Sequence, residues 1–407
     1  MNFKAIAIVV LCIVYLYSLF LDLLRYRSSR NPIPENVADV YDRETYLKWK
    51  AYHTEKVRWG MVTNAVAFAI DLVLILTNAY AAFARLFPDQ VWMQLFAVML
   101  LSALATLPLI PFAWYDTMHI EEKYGFNRTK GKTFVGDQVK QFVLQLLLMI
   151  GLASLVMGLH KSFGDWLILA FAVFATLFLL FITFLFPFFS RIFNKFTPLE
   201  DGELKEGITK LLEKNGYQVR AIPVMDASRR STKSNAYFTG FGKMKTIVLY
   251  DTLVAAMTTD EILAVFAHEM GHGLHRDTLK NHILSFLQML VLGLLAWATL
   301  RYPQIFTSFG FQGVNYGFAV ILIMSVEYAL ISPLFSLVTS WFFRRAEYRA
   351  DGQAVQEGYG DALISGLKKL SRENFSDLAP SPILVALEYS HPTLSQRITA
   401  IEAAGRK

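Results

Sequence analysis

The chain of 407 residues has a single cysteine, Cys12, and it lies inside an apolar run. No intrachain disulfide can form and a thiolate-rich metal site is excluded, so any bound metal must take nitrogen and oxygen ligands. Charge is scarce as well: Asp, Glu, Lys and Arg make up 18% of the residues, against 54% hydrophobic and 14% aromatic. With a mean hydropathy of +0.38, this is too apolar for a soluble protein of ordinary composition, and a membrane protein embedded in a lipid bilayer is expected. Lys and Arg outnumber Asp and Glu by 39 to 33, a net charge of +6. In a soluble chain that excess would suggest nucleic acid. Here the basic residues flank apolar stretches and read as topology signals, so no nucleic-acid partner is expected. No cleavable signal peptide is expected either: residues 3–24 are apolar for longer than a signal-peptide core and are followed by Arg25, Arg27 and Arg30.

Seven segments are long enough to cross a bilayer as helices, near 3–24, 61–86, 91–114, 139–159, 165–189, 283–300 and 316–343. Pro108 and Pro111 in the third and Pro333 in the seventh predict bends. The loops 25–60 and 115–138 are rich in Lys and Arg, whereas 87–90 has none and 160–164 only Lys161. The basic loops are therefore expected in the cytoplasm, which puts the N-terminus outside and both large polar segments, 190–282 and 344–407, inside. The chain then divides into five spans with their loops (1–189), a first catalytic part (190–282), two further spans (283–343) and a second catalytic part (344–407). The two polar parts are expected to pack as one split domain. Within the first, Thr197-Pro198-Leu199-Glu200 predicts a capped helix through Leu212. Val219–Met225, Ala236–Thr239 and Thr246–Tyr250 predict strands, with Asn235–Thr239 at a sheet edge able to hold an extended peptide.

The centre of the chain is Ala267-His268-Glu269-Met270-Gly271-His272-Gly273. Two histidines four apart share one helical face and can close on a single Zn²⁺, with Glu269 beside them as a general base. Thr258-Thr259-Asp260-Glu261 reads as a capping box that opens this helix, and Ile262, Leu263, Val265 and Phe266 give it an apolar face. One zinc per chain needs a third protein ligand. Glu347, just past the seventh span, is the best candidate, with Asp351 one turn on as hydrogen-bond acceptor for a ligand histidine. The alternative is an exposed charged helix that pairs Glu347 with neighbouring arginines. His275 follows His272 too closely to share its face fully, and with Arg276 and Asp277 it reads as an exposed polar helix end. His53, His119, His160 and His282 are scattered and read as interfacial or hydrogen-bonded. His391, before Pro392, is weak evidence by itself.

These residues resemble a known family, the type I CaaX prenyl endopeptidases, membrane zinc proteases that process a-factor and prelamin A. The resemblance rests on the His268–His272 helix before the sixth span, Glu347-Tyr348-Arg349-Ala350-Asp351 after the seventh, Ser234-Asn235-Ala236-Tyr237-Phe238, the terminal His391-Pro392, and the loop Ile120–Asn127 with Asp137 and Lys140. It implies a mainly α polytopic fold in which seven helices form a barrel around an intramembrane chamber, with a split α+β zincin-type domain on the cytoplasmic side. It further implies His268, His272 and Glu347 as ligands and Glu269 as base. Asn235 would support the substrate alongside Ala236, Tyr237 and Phe238, and His391 would stabilise the oxyanion; Arg397 would stand near the site. The polar chamber would house Asp71 and Glu327, which are costly against lipid; local pairing is the alternative. The expected substrate is a peptide or prenylated protein C-terminus. The chain's compactness resembles prokaryotic members, which would place it in a cell membrane; a eukaryotic one would sit in the endoplasmic reticulum or inner nuclear membrane. Two other readings stay open: quality-control proteolysis of unprenylated membrane proteins, and a transporter or channel built on a zincin scaffold.

Overall fold

The computed structural model describes residues 2–216, 222–233, 235–239 and 246–406, and most of the regular structure is helix. Among the described residues, six helical stretches are long and apolar enough to cross a membrane. The first two are α1 (Phe3–Ser28) and α2 (Arg43–Leu76). The third, Val91–Tyr124, opens with α3 (Val91–Leu104) and is broken by a 3₁₀ turn at Leu107–Leu109, where Pro108 and Pro111 cannot continue the hydrogen-bond ladder. The fourth, Gly131–Ile182, is two helices, α4 (Gly131–Phe163) and α5 (Leu167–Phe193). Gly164 parts them with φ +53°, a value side chains disfavour, and the two pack on each other.

Several segments differ from the seven predicted spans: six stretches are found among the described residues, the third runs to Tyr124 rather than 114, and α2 ends at Leu76 rather than near 86. α2 starts at Arg43 rather than near 61, because Asp42 caps it by accepting from the Thr45 N–H at 2.7 Å. It therefore carries a long charged extension before its apolar part. The last apolar stretch runs from Tyr316 through a π turn at Ile323–Tyr328 into Ala329–Gln356, so the helix continues past the predicted span end near 343 and carries Glu347 and Asp351.

The polar parts build a four-stranded sheet in the order β1 (Phe196–Pro198), β2 (Pro223–Met225), β4 (Thr246–Tyr250), β3 (Ala236–Thr239). β3 is an edge, antiparallel to β4, whereas β2 and β4 run parallel. The predicted helix start at Thr197–Glu200 is not there. Phe196–Pro198 pairs with Met225–Pro223 and the Leu199 N–H donates to the Ile222 carbonyl, so α6 (Glu203–Lys214) starts only after Gly202. Pairing across the sheet satisfied the donors that a cap would have used. Of the predicted strand Val219–Met225, residues 219–221 lie outside the described residues.

Next come α7 (Thr259–Leu274), α8 (Asp277–Arg301), α9 (Ala329–Gln356), α10 (Gly360–Glu373) and α11 (Leu394–Gly405). One core joins Leu199, Ile208, Leu249, Ile262 and Phe266 to Ala354, Leu363 and Ile401, residues on opposite sides of the last two apolar stretches. A separate core within the apolar helices is built on Leu95, Met99, Phe306 and Phe318.

The capping box of α7 also stitches these parts together. Thr258 accepts from the Glu261 N–H at 3.3 Å and the Glu261 carboxylate accepts from the Thr258 N–H at 2.9 Å. The same carboxylate accepts from Ser365 at 2.6 Å and Lys369 at 2.7 Å, both on α10. Burial opposes its ionisation, but these donors outweigh burial and hold Glu261 at about 2, below its ordinary 4.5. A lowered carboxyl stabilises the fold in full above about pH 4.5, and the contribution fades as the pH falls toward 2. The thermal-stability advantage of the wild type over Glu261→Gln, clear at pH 7, should therefore shrink as the pH is lowered through that window. An advantage unchanged at pH 3 would contradict the assignment.

Candidate active site

On α7 the four-residue spacing brings the His268 and His272 rings to 4.9 Å between centroids. Glu347 arrives from α9. One ligand atom from each of the three lies within 4.8 Å of the others. Glu347 Oε1 is 3.2 Å from His272 Nε2 and Oε2 is 3.6 Å from His268 Nε2. That Oε2 is buried and has no hydrogen-bond partner among the described residues, only Arg397 Nη1 at 3.5 Å, a costly state that a closer cation would relieve. Two imidazole nitrogens and a carboxylate turned on one point are the donor set of a divalent metal.

The outer nitrogens are held from behind. His268 Nδ1 lies 2.8 Å from Asp351 Oδ1 and His272 Nδ1 lies 3.2 Å from Asp277 Oδ2. A proton on each Nδ1 leaves Nε2 as the free lone pair. Arg397, from α11, donates to both Asp351 oxygens at 2.6 and 2.9 Å and sets its Nη1 3.5 Å from Glu347 Oε2. With no metal bound, burial pushes the His272 imidazole down, but Asp277 and Glu347 on its two nitrogens prevail and draw it up to about 10.

Asp277 corrects the sequence reading, which made it part of an exposed helix end. It is buried, and besides His272 it accepts from Arg349 at 2.7 Å. Arg276 turns left-handed at φ +55° and folds Asp277 back under the ring, a backbone reversal that no residue type announced. His275 caps α7, and His160, bonded to the Tyr316 hydroxyl at 3.0 Å, is elsewhere.

Glu347 reaches the histidines because α7 and α9 come unusually close. A Cβ on Gly271 would stand 2.8 Å from Ala350 Cα and 3.0 Å from Gln353 Cβ, so a methyl there must move a backbone. Gly271→Ala should cost about 1–3 kcal/mol of stability from overpacking and weaken metal retention as well. Unfolding midpoints and metal content measured together check this; if neither changes, the close approach is not needed.

A cavity of about 520 Å³ covers the cluster, lined among others by Asn235, Ala236, Glu269 and His391. His391 Nε2 is 3.5 Å from Glu347 Oε1, and its Nδ1 shares a hydrogen bond with Ser390 Oγ at 2.8 Å, a partner that no sequence pattern had marked. Asn235 leads into β3, its carbonyl accepting from the Tyr250 N–H at 3.1 Å. Ser234 and the side chains of Tyr237 and Phe238 lie outside the description. The approach to β3 is strapped to the membrane part: Arg230 Nε lies 3.0 Å from Asp137, and Lys233 donates to the Tyr52 hydroxyl, which donates to Glu121 at 2.7 Å. The loop Ile120–Asn127 thereby holds the segment that ends at Asn235. Of the two intramembrane acids, Asp71 is exposed and Glu327 accepts from the Thr299 hydroxyl at 2.7 Å.

A multi-pass membrane chain with paired helix histidines, a carboxylate from a second helix and a sheet edge beside them has the layout of a membrane metallopeptidase. Residues 22–195 match the family model described as CAAX prenyl protease N-terminal, five membrane helices, and residues 198–404 match Peptidase family M48. The chain belongs to the CAAX prenyl protease 1 group of peptidase family M48. It is 32% identical to CAAX prenyl protease 1 of Saccharomyces cerevisiae over 93% of this chain and 90% of that one. The Arabidopsis thaliana homolog is 32% identical over 97% and 96%, and the Homo sapiens homolog 27% over 96% and 93%. The crystal structure of S. mikatae Ste24p superposes with a TM-score of 0.91 at 30% identity, covering 99% of both chains.

Proposed function

We propose that this protein is a zinc endopeptidase that cuts C-terminal CaaX-type sequences of prenylated proteins at the cytoplasmic face of its membrane. The observation that carries this reading is the meeting of His268, His272 and Glu347 with Glu269 and the Asn235–Ala236 edge in one cavity. The names of the relatives, CAAX prenyl protease 1 in yeast and its homologs in plants and man, support the substrate class. Seven crossings follow if α4 and α5 each span the bilayer, and the basic loops then face the cytosol. Residues 190–282 and 344–407 make one catalytic unit interrupted by the spans of 283–343, as their common core supports. Asp71 and Glu327 belong to a polar chamber enclosed by the helices.

Zinc held by His268, His272 and Glu347 would supply the Lewis acidity that activates a water and polarises a carbonyl. Glu269 takes the proton of the attacking water and returns it to the leaving amine. Asn235 and Ala236 hold the substrate as an added strand on β3, continued through Tyr237 and Phe238. His391 donates to the oxygen that gains charge at the scissile carbonyl. Asp351 and Asp277 fix the tautomers of the two histidines, and Arg397 anchors Asp351 while balancing the acidic charge.

The test is cleavage of a farnesylated CaaX peptide and of an unmodified membrane protein, each with and without chelator. The farnesylated peptide should be cut, activity should be lost in chelator, and zinc should restore it. Preference for the unmodified protein would turn the reading toward quality control, and solute flux that survives chelation would overturn it in favour of transport.

A further inference from the structure

A second cavity, of about 690 Å³, opens between α2 and the segment Tyr115–Tyr124 and touches none of the residues proposed for catalysis. Lys50, Thr54 and Arg58 contribute to one wall, spaced by four along the charged extension of α2 and so on a single helical face. Trp59 and Tyr115 stand at its end, their rings 4.3 Å apart between centroids, with the Trp59 indole tied to the Phe112 carbonyl at 3.0 Å.

The charges in this cavity are not balanced. Its one acid, Glu55, is already taken by Lys123 and the Tyr124 hydroxyl, both at 2.8 Å. Arg58 donates to the neutral Tyr26 hydroxyl at 2.9 Å. Neither Lys50 nor Arg58 has a carboxylate partner among the described residues. Two cations therefore remain open to an anion. The cavity also lies where α2 passes from charged to apolar sequence, the depth of phospholipid headgroups, where tryptophan and tyrosine rings collect. Val62, on its apolar side, is 47% exposed, and Leu47, further out, is 58% exposed.

We infer that this cavity is a binding site for an anionic glycerophospholipid of the surrounding leaflet, whose headgroup phosphate meets Lys50, Thr54 and Arg58 and whose acyl chains continue past Val62. An anion is required because two cations lack partners, and a lipid rather than a free anion because the same cavity offers exposed apolar surface at the bilayer edge. Ile120, in the opposite wall, is next in sequence to Glu121, which does not line the cavity but holds Tyr52 and through it Lys233. The bound lipid would thus lie one residue in sequence from the strap that leads to Asn235.

Native mass spectrometry of the full chain, delipidated in detergent and titrated with phosphatidylglycerol or phosphatidylcholine, tests the site. The wild type should prefer phosphatidylglycerol by about tenfold or more. Lys50→Gln/Arg58→Gln should abolish that preference, Lys50→Arg/Arg58→Lys should retain it, and Lys205→Gln/Lys210→Gln on α6 should leave it intact. Lys50→Gln alone, with an unchanged unfolding midpoint, should lose a severalfold part of it should the double variant fail to fold. Inorganic phosphate at millimolar concentration should not displace the lipid. Equal binding of both lipids by the wild type, preference kept by the glutamine variants, or displacement by phosphate would each overturn the proposal.

Discussion

Glu269→Gln should leave one zinc per chain in place and lower kcat on a farnesylated CaaX peptide by roughly 10²–10⁴-fold, the usual worth of a positioned acid–base group. The amide keeps the size of the carboxylate, and Glu269 borders the cavity without joining the cluster of His268, His272 and Glu347, so neither packing nor metal content has reason to change. The loss should fall on kcat rather than KM, because proton transfer is needed only as the attacking water reacts. Metal analysis beside steady-state kinetics separates the outcomes. Retained turnover would remove Glu269 as the base, and lost zinc would make it part of the metal cradle instead.

Glu347→Ala should be the more disruptive change. It takes away the carboxylate that faces both His268 and His272, so zinc should be lost to chelator far more readily, by more than the roughly 10–100-fold expected for an outer partner alone. It also leaves Arg397 and the two imidazoles without their central acid in a buried place; removing one member of such a set costs about 3–5 kcal/mol. Activity should vanish together with the metal, and the unfolding midpoint should fall. Full zinc occupancy in the alanine variant would take Glu347 out of the metal site and leave it a buried partner of Arg397. Glu347→Asp, which keeps the charge on a shorter stem, should recover the fold before it recovers the metal.

How far the sequence could be read depended on whether the information was local. The His268–His272 pair was legible because helical spacing, a capping box at Thr258 and an apolar face all act within one helix. The apolar runs were legible for the same reason, since length and hydropathy need no partner. Asp277 was not, because its burial depends on a left-handed Arg276 that reverses the chain. Thr197–Glu200 misled because its residue types fit a cap while its backbone was claimed by β2, distant in sequence. Past Phe343 polar side chains end the apolar run but not the helix, which runs on to Gln356 and presents Glu347 and Asp351 one turn apart, as their spacing indicated. Only the resemblance to a family singled out His391, since the loop that brings it to Glu347 leaves no periodic mark.

The shared core of Leu199–Phe266 with Ala354–Ile401 bears on how the protein is made. A ribosome delivers the paired imidazoles well before the acid that completes them, and two hydrophobic helices must be inserted in between. On the proposed ligand set, a product truncated before α9 lacks the third zinc ligand and should be inert. On that reading, peptide-bond cleavage should begin only after the last apolar stretch has been made and inserted.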